Sequence, residues 1–222
     1  GKLRPQKLHG KLIFCRAIDH RKFFLEYLQK AILTFKPQNI LELGSGNGIN
    51  LLALAILNPD LKEFSGVELT ENGISASQYY LKNPPFELLT YFTDLSKEVA
   101  AERLSRAKIN FIRGDITKLP FPDQSFEFLF SISVLEQIPR EYPAVFRETR
   151  RVLGGQALFL EAFKEAQENF FQRLHLRNMD YFRASFREVG RADLRVLKFE
   201  ALALNKIKFT TGALLCESSK RG

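Results

Sequence analysis

The chain has 222 residues and a formal net charge of +8, with 45% hydrophobic and 26% charged residues, which is ordinary for a globular protein. No apolar run is long enough to span a membrane, and the basic N-terminus does not resemble a secretory signal. Cys15 and Cys216 lie far apart without metal-ligand spacing, so we expect ordinary thiols, a reducing compartment and a cytoplasmic location.

The positive charge is concentrated near the N-terminus. Residues 1–36 carry nine Lys or Arg and two Asp or Glu, whereas residues 37–161 carry twelve and sixteen. Such a surplus attracts an anionic partner, which could be a nucleic acid, a phosphorylated or carboxylated small molecule, or a membrane surface. A solvated helix face explains it equally well.

The N-terminal region is predicted to be a basic arm followed by a helix. Residues 1–17 are expected to be loosely structured, and apolar residues at helical spacing predict a helix from Asp19 to the residue before Pro37. We assign residues 1–36 to this arm and cap helix. Residues 37–222 form the main body of what we expect to be one domain.

A strand, a glycine turn and a helix come next. Residues 40–43 are an apolar strand, and residues 49–57 are an apolar helix. Glycines let the backbone turn sharply without a side chain between it and a ligand, and the helix N-terminus is positive. The sequence therefore predicts a seat for a nucleotide-like ligand on the turn, which contains Gly44, Ser45, Gly46 and Gly48. A glycine turn in an unrelated α/β domain is the alternative.

Acidic residues end the next two predicted strands. Residues 63–69 form a strand with Glu68 near its end, and a carboxylate there can accept bonds from both hydroxyls of a ribose. After a long segment, residues 78–108, in which we expect an ordinary insertion, the strand 109–116 contains Asp115. The sequence Leu119-Pro120-Phe121-Pro122-Asp123-Gln124-Ser125-Phe126-Glu127 then leads into a strand over 128–131.

The last third of the chain is predicted to complete the sheet. A helix over 143–152 and a strand over 157–162 precede a long aromatic-rich helix over 165–186. Residues 193–204 and 207–217 alternate enough to be the last two strands.

The glycine turn with Glu42 two positions before Gly44, followed by Glu68, Asp115 and the proline-rich segment, resembles class I S-adenosylmethionine (SAM) dependent methyltransferases. The proline-rich segment resembles the small-molecule ubiquinone/menaquinone-type ("methyltransferase type 11") group, although Glu127 replaces the usual Asp. The resemblance implies an α/β, Rossmann-like, doubly wound sheet of seven strands, mostly parallel with an antiparallel last strand and helices on both faces. It also implies SAM as the cofactor and S-adenosylhomocysteine as its product.

The resemblance also implies roles for individual residues. Glu42 would face the methionine amino group, Glu68 the ribose, and Asp115 with Ile116 the adenine. The full set of implied cofactor-binding residues is Glu42, Gly44, Ser45, Gly46, Gly48, Glu68, Leu69, Gly114, Asp115, Ile116, Ser131 and Ile132.

The acceptor side has no motif. Relatives often have His near position 137, but Gln137 cannot act as a base near neutral pH. The candidate catalytic residues are His175, Glu136 and His20, although a lone histidine is more often a surface or packing residue. We expect no metal site.

Three functions remain open. The favoured one is methyl transfer to a small molecule, with an anionic or aromatic acceptor favoured by the basic, phenylalanine-rich flanks. The basic arm would suit an RNA methyltransferase, and the lack of an evident base would suit a non-catalytic SAM-binding protein. An NAD-dependent reductase is disfavoured by the glycine spacing and by Glu42.

Overall fold

A computed structural model describes residues 3–181, 184–206 and 208–218. Within these ranges the chain forms two sheets and eight α-helices. The strands are β1 (Leu3–Leu8), β2 (Lys11–Arg16), β3 (Asn39–Leu43), β4 (Glu63–Glu68), β5 (Lys108–Arg113), β6 (Phe126–Ile132), β7 (Leu153–Glu161), β8 (Leu194–Ala201), β9 (Leu204–Lys206) and β10 (Gly212–Ser218). The helices are α1 (Ala17–Phe35), α2 (Ile49–Leu57), α3 (Glu71–Lys82), α4 (Phe86–Thr93), α5 (Lys97–Arg106), α6 (Tyr142–Val152), α7 (Phe170–Asn178) and α8 (Arg187–Gly190).

The larger sheet has seven strands in the order β5-β4-β3-β6-β7-β10-β8. β10 runs antiparallel to the other six strands of this sheet, which are parallel to one another. The strand order reverses between β3 and β6, and ligands of such sheets bind where this reversal occurs, beyond the carboxyl ends of the strands. The predicted fold class is confirmed, and the glycine turn after β3 lies at this position.

Both faces of the central strands are buried. Ile40, Phe128 and Phe130 belong to one apolar cluster, whereas Leu41 and Leu129 belong to the other. Helices covering both faces explain why these strands read as nearly continuous apolar runs. No helix among the described residues combines the length and the apolar character needed to cross a bilayer.

The sequence predicted a loosely structured N-terminal arm, and this prediction is wrong. β1 and β2 form an antiparallel hairpin, and β1 pairs on its other side with β9, with Leu8 opposite Leu204. The turn residues His9 and Gly10 have φ of 48° and 77°, the positive values that two-residue hairpin turns require. The predicted helix after the arm is confirmed as α1, which ends before Pro37.

The long helix predicted over 165–186 is wrong. A short 3-10 turn at Lys164–Ala166 precedes α7, and α7 ends at Asn178. The side chain of Asn169 accepts a bond from the Gln172 amide at 3.0 Å and caps the start of α7. This cap separates the two elements. Three positions of the predicted elements, residues 182, 183 and 207, lie outside the described residues.

The segment 78–108 contains the end of α3 and two extra helices. Leu89 of α4 and Ala100 of α5 are fully buried in the cluster that covers one sheet face. This packing is that of a structural insertion.

The proline-rich segment before β6 is held by one guanidinium group. Arg151 of α6 donates to the carbonyl oxygens of Leu119 and Phe121 at 2.9 and 2.6 Å. It also forms an ion pair with Glu148 at 2.6 Å, and Glu148 accepts a bond from the Leu119 amide at 2.7 Å. These contacts fix the loop that leads into the central strand.

Replacing Arg151 with Met should therefore lower the free energy of unfolding by about 2 kcal/mol, since several hydrogen bonds to a charged group are lost. Arg147→Met is the matched control, because Arg147 is exposed on the same helix. Urea denaturation followed by circular dichroism measures both. Equal stability of the two variants would contradict this role.

Candidate active site

The glycine turn has a left-handed backbone at each of its glycines. Gly44, Gly46 and Gly48 have φ of 66°, 54° and 75°. A Cβ on Gly44 would lie 2.7 Å from Val134, and one on Gly48 would lie 2.4 Å from the Phe111 ring. A Cβ on Gly46 would meet nothing within 4 Å. The first and third glycines therefore allow packing, whereas the second leaves an open cradle.

A cavity of about 400 Å³ lies between α1 and this turn. Three buried polar atoms among its lining residues have no hydrogen-bond partner: Glu42 Oε2, Ser45 Oγ and His20 Nε2. Such atoms are costly unless a ligand or water satisfies them. The lining residues are Ala17, His20, Arg21, Phe24, Glu42, Gly44, Ser45, Gly46, Asn47, Asn50, Ile132 and Ser133.

Glu42 is a buried carboxylate of the cavity, and its pKa is strongly raised. It is 2% exposed, and its Oε1 accepts a bond from Asn50 Nδ2 at 2.6 Å. Arg21 donates to the Oδ1 atom of Asn50 at 2.8 Å, so a cation of α1 supports the carboxylate through an amide. Burial raises the pKa of Glu42 to about 8, and the bond from Asn50 opposes this shift. A cationic ligand group beside Oε2 would complete its partners.

Glu68 and Asp115 lie at the carboxyl ends of adjacent strands. Glu68 accepts bonds from the Gly46 amide at 3.0 Å and from the Thr70 amide at 2.9 Å. Asp115 is exposed and accepts bonds from the amide and hydroxyl of Thr117 at 2.8 and 2.7 Å. The Gly114 amide donates to the Glu68 carbonyl oxygen at 3.0 Å, which joins the two strand ends.

The other predicted cofactor residues differ in position. Ile132 lines the cavity, and Ile116 is buried in the core cluster beyond β5. Leu69 is 61% exposed after β4. Ser131 is fully buried and does not line the cavity, because its hydroxyl donates to Glu161 Oε1 at 2.7 Å.

Glu161 is a second buried carboxylate, at the end of β7. Besides Ser131, it accepts bonds from the amides of Val134 and Leu135 at 3.1 and 3.2 Å. Burial raises its pKa to about 8, in spite of these bonds. Ser133, which lines the cavity, has a φ of 54°, and the carboxylate fixes the loop that carries it.

Of the catalytic candidates, His20 lines the cavity, whereas Glu136 and His175 are not among its lining residues. Burial lowers the pKa of His20 to about 4, with a further contribution from the positive charge of Lys206. Burial raises the pKa of Glu136, and Lys206 opposes this shift. His20 is thus neutral at pH 7, and Lys206 of β9 lies close enough to influence both groups. No cluster of His, Cys, Asp or Glu within the described ranges could hold a metal ion.

The family model described as a methyltransferase domain matches residues 41–160, just over half of the chain. The chain belongs to this family. It is a class I SAM-dependent methyltransferase. The resemblance found in the sequence is confirmed.

Individual relatives of the methyltransferase are distant. The sterol 24-C-methyltransferase ERG6B of Gibberella zeae is 38% identical over 52 residues, which are 23% of this chain and only 13% of that protein. A SAM-dependent methyltransferase from Methanosarcina mazei has a TM-score of 0.64 at 15% identity, with 85% and 96% of the two chains covered. Geranyl diphosphate C-methyltransferase from Streptomyces coelicolor A3(2), solved with Mg²⁺, geranyl diphosphate and S-adenosyl-L-homocysteine, has a TM-score of 0.60 at 11% identity, with 90% and 80% covered.

Three residues were not found from the sequence: Arg21 and Asn50, which line the cavity, and Glu161, which holds the loop that carries Ser133. Asn50 is the only polar residue of the helix 49–57, and Glu161 ends a strand after four consecutive apolar residues, 157–160. Both patterns could have indicated a buried polar contact. Arg21 had no such pattern, because it reaches the cavity from α1, a distant part of the chain.

The glycines of the methyltransferase offer a matched pair of variants. Gly46→Ala should cost about 1 kcal/mol of stability through left-handed strain, and should weaken S-adenosylhomocysteine binding by about tenfold or more because its methyl group points into the cradle. Gly48→Ala should cost about 3 kcal/mol, since its methyl group also collides with the Phe111 ring. Calorimetric binding and urea denaturation test both variants. Unchanged binding by Gly46→Ala would contradict the assignment of the cradle.

Proposed function

We propose that the protein transfers a methyl group from SAM to a small-molecule acceptor. The observation that carries this proposal is the cavity beside the glycine turn, in which the buried Glu42 carboxylate has an oxygen without a partner. Methionine and adenosine groups supply the cation and the hydroxyls that such a site lacks.

The residues fit the cofactor in chain order. Glu42 would hold the ammonium group, and the backbone at Gly46 would lie against the ligand. Glu68 would exchange its bonds to Gly46 and Thr70 for the ribose hydroxyls. Asp115 would accept a bond from the adenine amino group. The resemblance to the family implies these roles, and the positions of Glu68 and Asp115 at neighbouring strand ends support them.

Catalysis by this chain would consist mainly of positioning and the exclusion of water. The cofactor supplies a methyl group that is already activated on a sulfonium, so displacement needs alignment more than acid–base chemistry. Phe24 and Ala17 of α1 cover the cavity, and Ser133 is held beside it by Glu161. An acceptor that must lose a proton requires a base.

Glu136 is the better candidate for that base. Its Oε2 atom is buried without a partner, and its raised pKa brings it closer to neutral pH. His20 is neutral, but its depressed pKa makes it a weak base and favours a hydrogen-bonding role. Gln137 is exposed and carries no basic group.

Lys206 favours an acceptor that carries a negative charge. Lys206 lies opposite Gln6 in the β1–β9 pair. Its charge acts on both His20 and Glu136. A carboxylate or phosphate of the acceptor would therefore bind near the Lys206 ammonium, which lies 4.7 Å from the centre of the Phe209 ring.

Incubating the purified protein with SAM and a panel of acidic and aromatic metabolites should yield S-adenosylhomocysteine, and Glu68→Ala should abolish this turnover at low SAM concentration.

Lys206→Met should raise the KM for an anionic acceptor by about tenfold at unchanged kcat, since a charged contact is lost. Lys208→Met, an exposed neighbour, is the control.

The same assay separates the alternatives. Binding of S-adenosylhomocysteine without turnover of any acceptor would support the non-catalytic function. Methylation of RNA with a steep salt dependence of binding would support the RNA methyltransferase. Either result would overturn the small-molecule proposal.

A further inference from the structure

The face of α1 that borders the cavity carries one permanent charge. Ala17, His20, Arg21 and Phe24 line the cavity, and their spacing of three and four residues places them on one side of the helix. His20 is neutral at pH 7, because burial lowers its pKa to about 4. Among the described residues that line the cavity, Arg21 is therefore the only cation and Glu42 is the only acid.

Arg21 has donors to spare. Within the described ranges it forms a hydrogen bond to an amide, from Nη1 to Asn50 Oδ1 at 2.8 Å, and no ion pair with a carboxylate. A guanidinium carries several N–H donors in a planar fork and stays protonated in proteins. Burial lowers the pKa of Arg21, and the charge of Glu42 opposes this shift. The remaining donors of this partly buried cation can therefore bind an anion.

Asn50 lies between Arg21 and Glu42. Its Oδ1 atom accepts the bond from Arg21, and its Nδ2 atom donates to Glu42 Oε1 at 2.6 Å. The other carboxylate oxygen, Glu42 Oε2, is buried without a hydrogen-bond partner. The cavity thus presents a guanidinium and a carboxylate on either side of one amide group.

This pair of groups is complementary to an α-amino acid. Such a group carries an ammonium and a carboxylate on one carbon atom, so its two charges lie close together. An ammonium matches the unpartnered oxygen of Glu42, and a carboxylate matches the planar fork of a guanidinium. Glu42 alone would bind an amine equally well with or without a neighbouring carboxylate.

We propose that Arg21 binds the carboxylate of the cofactor's methionine group while Glu42 binds the ammonium group of the same amino acid. The inference rests on the proposed function for the identity of the cofactor. It adds a residue of α1 to the cofactor site and makes the site selective for a ligand with both charges.

Calorimetric binding of two thioethers to the full chain tests the inference and needs no methyl acceptor. One ligand is S-adenosylhomocysteine, and the other is its decarboxylated analogue, which keeps the adenosine, the sulfur and the amine. The wild type should bind S-adenosylhomocysteine about tenfold or more tightly than the analogue, because the analogue lacks the charged contact. Arg21→Met should abolish most of this preference, whereas Glu42→Gln should weaken the binding of both ligands by similar factors.

Lys30→Met is the matched control, because it removes the same charge from an exposed position of α1 outside the cavity. It should keep the full preference. Arg21→Lys, which keeps the charge without the planar fork, should keep part of the preference. Circular dichroism verifies that each variant is folded.

If Arg21→Met weakens the binding of both ligands by one factor, so that the preference remains, Arg21 only holds Asn50 and the inference is overturned. Equal binding of both ligands by the wild type, or loss of the preference in Lys30→Met, would overturn it as well. Neither ligand donates a methyl group, so this outcome is separate from that of the turnover assay, which tests the acceptor.

Discussion

One buried carboxylate organises the site. Glu42 lies at the centre of the sheet, where the strand order reverses, and it is almost fully removed from water with one oxygen lacking a partner. A single hydrogen bond from Asn50, supported by Arg21, does not offset the cost of its burial, and the group keeps a high affinity for a proton. The cavity above it therefore has one strong chemical preference, which is for a cation.

A second buried carboxylate, Glu161, holds the loop after β6 in place beside the cavity. Glu161 binds the amides of Val134 and Leu135, and Val134 in turn packs so closely on Gly44 that no side chain fits there. The loop after β6 and the glycine turn after β3 are thus held against each other. Glu42 has one carboxylate oxygen without a hydrogen-bond partner, so it can bind a ligand. Both oxygens of Glu161 accept hydrogen bonds from the protein, so its role is structural.

The sequence was sufficient where local pattern and topology agree. The strand, glycine turn and helix around Glu42 are contiguous, and the acidic strand ends at Glu68 and Asp115 follow from parallel pairing. Prediction from the sequence failed where segments that are distant in the chain contact each other. The N-terminal hairpin pairs with β9, which lies some 200 positions later in the chain, and neither segment contains a local pattern that predicts this pairing. The end of α7 at Asn178 depended on local capping and turns, and the burial of Ser131 depended on an acid from a neighbouring strand.

Proton release on ligand binding is the most direct test of the claim that Glu42 is a receptor for the cofactor's ammonium group. Because burial raises its pKa to about 8, Glu42 is mostly protonated at pH 7 in the free protein, and a bound cation should ionise it. Calorimetry of S-adenosylhomocysteine binding at pH 7 in buffers of different ionisation enthalpy should show release of about one proton, and Glu42→Gln should show none. Binding by the wild type without proton release, or the same release in Glu42→Gln, would contradict the claim.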